Sequence, residues 1–163
     1  MKNTLKPKVP ELNRVPKAFL EEQKENGLAG LVEPTAEERE NLQEWAAMVW
    51  ELIGSTMQKF LCPVVGLHLY DHRQCSGDFS EAEAFCSIQI HTETGEKRSI
   101  IGLDIEPVRR GGSYLAFLLL HEIAHAATAA AGHDDRYHQY LNYLLYSFNS
   151  EYGTSLVNDY VGD

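Results

Sequence analysis

The segment His121-Glu122-Ile123-Ala124-His125 constrains the fold more than any other part of the chain. It lies in a strongly apolar run rich in Leu and Ala, the kind of sequence that forms a buried helix. On a helix, positions four apart lie on one face, one above the other, so His121 and His125 present two imidazoles on the same side. Glu122 projects ~100° further round the axis, near enough to reach a water held at those rings without being a ligand. This is the pattern of a helix that grips zinc. Two histidines do not complete a catalytic zinc site, which takes three protein ligands and keeps one position open. The fold must therefore bring a third side chain to this helix from another element.

The supplier expected is Gly132-His133-Asp134-Asp135-Arg136-Tyr137-His138. Ser113 after Gly111-Gly112 is the expected N-cap of the pentad helix, which runs to about Ala131, and Gly132 is its natural stop. His133 then sits at the mouth of the next helix, facing back toward the metal, and is preferred as third ligand. His138, in the first turns of that helix and in phase with Leu141 and Leu145, is the alternative. Zinc so held would lower the pKa of its water from about 15.7 to about 7 and polarise a carbonyl. Glu122 would serve as general base and then general acid. Tyr137 is the candidate donor to the tetrahedral oxyanion, beside Tyr152 and Tyr160.

With 163 residues, 44 % of them hydrophobic, the chain suits one packed domain. Its net charge of −10 repels phosphate backbones and argues against a nucleic-acid partner. The basic pairs Lys97-Arg98 and Arg109-Arg110 are too short to reverse that and suit solvated turns. Three cysteines, Cys62, Cys75 and Cys86, form no C-x-x-C pair. They argue against a disulfide scaffold or a Cys-rich zinc ribbon and for reduced thiols in a cytoplasmic protein. Pro7, Pro10 and Pro16 stand where a signal peptide would be apolar, and the longest apolar stretch, Tyr114 to Leu120, is too short to span a membrane.

Residues 1–34 read as an arm, loosely structured, with a short helical piece around Phe19–Lys24. The domain proper spans 35–163. Thr35 and Glu38 have capping-box spacing, and Leu42, Trp45, Ala46, Val49, Trp50, Ile53, Met57 and Phe60 recur at helical intervals before Pro63. Strands are expected over Val64–Tyr70, Phe85–His91 and Arg98–Ile105, the last two as an antiparallel hairpin turning at Gly95. A final helix begins at Asp134 or Asp135 and ends at Tyr152 before Gly153. His68, Asp71 and His72 read as polar residues at a strand end, Cys75 as a plain thiol, and His91 as exposed.

His121-Glu122-x-x-His125 followed by Gly132-His133-x-x-x-Tyr137 resembles the SprT-like and WLM-type zinc metalloproteases. The resemblance spans roughly residues 35–150, with its specific motifs in 121–137. It implies His121, His125 and His133 as zinc ligands and Glu122 as the catalytic residue. It also implies the compact zincin order of helix, small sheet, active-site helix and backing helix. Asp134 stands where that group often has Gly, Tyr137 replaces Phe or Trp, and no Cys-rich ribbon follows. The expectation is an α+β, zincin-like domain with an N-terminal helix, a small, mostly antiparallel three-stranded sheet, an active-site helix and a C-terminal backing helix. Its expected activity is that of a zinc metallopeptidase on a peptide or protein substrate, without nucleic acid or membrane. Two other classes share the motif: a non-catalytic module of zincin fold that binds metal or a partner, and a zinc hydrolase of a non-protein amide.

Overall fold

The computed structural model describes residues 9–57, 59–60, 62–90, 93–129 and 132–158. Among them, helices and one small sheet combine in an α+β fold. The order is α1 (Lys17–Glu25), α2 (Ala36–Met57), β1 (Val64–Tyr70), β2 (Ala84–Ile90), β3 (Lys97–Asp104), α3 (Ile105–Arg110), α4 (Tyr114–Thr128) and α5 (Asp135–Tyr152). None of these helices is long and apolar enough to cross a membrane.

The start of α2 is the expected capping box. Thr35 N–H donates to Glu38 Oε1 at 2.8 Å, and Glu38 N–H to Thr35 Oγ1 at 3.2 Å, so two end amides are satisfied reciprocally. Leu42, Ala46, Val49, Trp50 and Ile53 then bury one face of the helix in the core. Helical structure ends at Met57, short of Phe60.

The sheet order is β1-β3-β2. β2 and β3 form the expected antiparallel hairpin, but β1 runs parallel to β3, so the sheet is mixed rather than mostly antiparallel. The cause lies in the connection after β1. Two short 3₁₀ turns, His72–Gln74 and Gly77–Ser80, carry the chain past the central position to the far edge. The hairpin then returns β3 into the middle, alongside β1 and in its direction. β3 stops at Asp104, one residue before the expected end, because Ile105 opens the unexpected short helix α3.

Side chains alternate across the sheet. Leu67, Leu69, Ile101 and Leu103 join the main core with α2, α4 and α5. On the other face His68 and Phe85 flank Gly102 in register, with Phe19 and Tyr70 beside His68. Phe19 comes from the segment expected as a loose arm. From residue 9 onward that segment packs on the outer edge of β1. Asn13 N–H donates to Leu67 O at 2.8 Å, Leu69 N–H to Asn13 Oδ1 at 2.9 Å, and Val32 N–H to Leu69 O at 3.1 Å. An open strand edge presents unpaired backbone groups, and the arm satisfies them.

Every residue of α4 from Leu115 to Ala126 is buried, which explains its apolar character all round. Ser113 precedes it in a helical conformation and makes no side-chain cap bond, unlike the cap expected there. The helix also stops earlier than expected. Ala129 takes the left-handed conformation, φ 53°, and closes the helix on His125 O; Gly132 does not. Running on to Ala131 would add ~9 Å of rise beyond His125, leaving too few residues to bring His133 back. α5 begins and ends as expected: Asp134 Oδ1 accepts from Tyr137 N–H at 2.9 Å, and Gly153 is the left-handed cap.

Candidate metal centre

α4 sets His121 and His125 one turn apart, with ring centroids 5.7 Å apart. The turn into α5 brings His133 against both, at 5.3 Å from His121 and 4.8 Å from His125. One ligating nitrogen from each of the three lies within 4.8 Å of the others. His125 Nε2 and His133 Nε2 are 3.1 Å apart. Two ligands of a tetrahedral zinc, each ~2.05 Å from the ion, lie ~3.3 Å apart, so this pair is spaced as zinc ligands are. The donor set, three imidazoles, also suits zinc.

His121 and His125 are buried and His133 half-buried. Burial first, and the neighbouring His125 and His121 next, hold the His133 imidazole below the ordinary histidine value. The neutral ring, whose lone pair binds metal, is thereby favoured. Glu122 is 4 % exposed, and its Oε2 lies 2.9 Å from His121 Nδ1. Its charge reaches β2: after burial, it is the next cause that pushes the Cys86 thiol far above its usual range. Cys86 is thus held as a neutral thiol, a poor metal ligand.

The rival ligand His138 is not in this group. Its Nδ1 is 3.0 Å from Asn158 Nδ2, on the segment that follows α5. Tyr137 is fully buried, its ring stacked on that of His125 at 4.4 Å with the planes 30° apart. Its hydroxyl donates to the backbone oxygen of His121 at 2.8 Å. In this arrangement the hydroxyl expected as the oxyanion donor points to the pentad's own backbone. Tyr152 likewise donates to Met48 O at 2.9 Å, and Tyr160 lies outside the described residues, as does His91.

A second convergence, Asp71 with His72 and Asp104, joins the carboxyl ends of β1 and β3. The sequence grouping of His68 with Asp71 and His72 missed Asp104, because nothing local signalled that β1 and β3 are neighbours. Asp104 accepts from His72 N–H at 3.0 Å and pairs with His72 Nδ1 at 2.7 Å. Asp71 accepts from Arg73 Nε at 3.0 Å and Nη2 at 2.9 Å. With its carboxylates so engaged, the group acts as a staple between strands. Cys75 is also structural, its sulfur accepting from Ala29 N–H at 3.3 Å.

Compared with protein-family models, curated proteins and solved structures, the chain matches none at a significant level.

Proposed function

We propose that this chain is a zinc metallopeptidase of zincin-like fold that hydrolyses peptide bonds in a peptide or protein substrate. The observation that supports this is the meeting of three imidazoles, within 4.8 Å, beside one buried carboxylate. The resemblance of residues 121–137 to the SprT-like and WLM-type metalloproteases points the same way. So does the order of α2, sheet, α4 and backing α5.

His121, His125 and His133 would hold the ion. When bound, zinc supplies a Lewis acid for the scissile carbonyl and makes water acidic near neutral pH. Everything else belongs to the chain. Glu122, only 4 % exposed, accepts a proton at its carboxylate from the attacking water and returns it to the leaving amine. Tyr137 fixes the His121 backbone and the His125 ring, so the ligands are oriented in advance. β2 is the outer strand of the sheet and partly exposed along its length, with Ile90 61 % exposed. An extended substrate added there would be held by backbone hydrogen bonds. Three cysteines outside any disulfide fit the reducing cytoplasm.

The test is Glu122→Gln, assayed for zinc content and for cleavage of a mixed peptide library. The expected result is unchanged zinc with hydrolysis reduced ~10²–10⁴-fold. Equal cleavage by the two proteins, or none by a wild type loaded with zinc, contradicts the proposal.

A further inference from the structure

The sheet face turned away from α4 buries a histidine among aromatic rings. His68 is 0 % exposed, and among the described residues neither ring nitrogen has a hydrogen-bond partner. Its surroundings are aromatic: Phe19 edge-on at 6.1 Å, Phe85 at 6.2 Å and Tyr70 stacked at 6.3 Å. An unserved buried polar group is costly and calls for a reason. What covers it is the N-terminal segment. Phe19 on α1 closes over the ring, and Asn13 and Val32, on either side of α1, tie the segment to β1.

We propose that His68 is an acid-operated latch: protonation of its ring drives residues 9–34 off the sheet and bares the outer edge of β1. An imidazolium needs water or a counter-ion; the ring is 0 % exposed, and among the described residues no charged side chain is seen to act on it. On α1 the charged residues Lys17, Glu21, Glu22, Lys24 and Glu25 are all exposed. The Tyr70 phenol is the ionisable neighbour on β1, and it donates to Ala82 O at 2.6 Å. On β3, Asp104 is engaged by His72, and Lys97 and Arg98 lie exposed at the far end of the strand. On β2, Cys86 points to the opposite face from Phe85. Among the described residues burial is the cause that holds His68 down, at about 4 against 6.5 ordinarily.

The direction follows by linkage. With the arm lifted, the ring titrates at its ordinary value, so the closed form binds fewer protons. Closure is at full strength above pH 6.5, weakens as pH falls toward about 4, and is constant below that. Between pH 7.5 and pH 5 the ratio of closed to open arm falls roughly 30-fold. Opening releases Leu67 O and both backbone groups of Leu69, which then face outward as a strand edge able to pair.

The experiment is hydrogen exchange on the full chain at pH 7.5 and pH 5, read by mass spectrometry and corrected for intrinsic exchange. Wild type should lose protection roughly 30-fold in peptides from residues 9–34, with peptides from α4 unchanged. His68→Leu should keep the arm protected at both pH values, and His68→Phe is the second variant should leucine disturb folding. Arm protection in wild type that does not respond to pH overturns the proposal. So does the same response in either folded variant, or a His68 resonance that titrates at the ordinary histidine value in the closed chain.

Discussion

Replacing Tyr137 by Phe separates a brace from an oxyanion donor. The substitution keeps the ring that lies 4.4 Å from His125 and removes only the hydroxyl, which donates to His121 O at 2.8 Å in a fully buried position. His121 O keeps its place in the α4 hydrogen-bond ladder, so the loss is that of one side-chain bond, about 1 kcal/mol. For a chain of this size that lowers the melting temperature by about 2–4 °C. A loosening worth 1 kcal/mol at the site would slow the proposed hydrolysis by no more than about fivefold. Removing a true oxyanion donor costs about 10²–10³ in kcat. Steady-state kinetics on a peptide cleaved by the wild type, with zinc content measured on the same samples, tells these apart. A drop of 10² or more with zinc retained refutes the brace and puts the hydroxyl at the reacting carbonyl.

Two further outcomes follow from the fold. Gly102→Ala should destabilise the chain by about 1–3 kcal/mol in urea unfolding, because a Cβ there would clash with the Phe85 ring; the proposed metal binding should be untouched, and a neutral effect would mean the aromatic layer is loose. Glu38 is held below the ordinary carboxylate range, first by the Thr35 amide and also by Arg109, whose Nε lies 2.6 Å from Oε2. Its contribution is therefore present above the ordinary glutamate value and lost as pH falls through the depressed one. Glu38→Gln should cost about 1 kcal/mol at neutral pH, with the gap from wild type closing in acid; a gap independent of pH would remove the charge from the explanation.

Elements governed by neighbours in sequence were legible in it. The Thr35–Glu38 box, the Asp134 cap and the Gly153 stop each rest on contacts a few residues apart. The three imidazoles that converge were also named from the sequence, because a short turn after α4 leaves His133 little other place to go. What escaped depends on partners distant in the chain. The parallel pairing of β1 with β3 is decided by how the chain crosses from one edge to the other. The arm looked loose because its prolines and charges hide two ties to β1, Asn13 and Val32, and one buried ring, Phe19. His68 read as one of three polar residues at a strand end, with no sign that Phe19 of α1 packs against its ring. The left-handed Ala129 had no local signature at all, since Gly132 offered the better stop and the return of His133 overrode it.

Metal content is the most direct test of the centre. Protein purified with zinc supplied, wild type beside His133→Ala and His138→Ala, is analysed for bound metal and its affinity measured by competition with a chelator. About one zinc per chain is expected in wild type and in His138→Ala, with affinity weakened by more than about 100-fold in His133→Ala. A wild type that holds no zinc, or a His133→Ala protein that holds it as tightly as wild type, contradicts the three-histidine site.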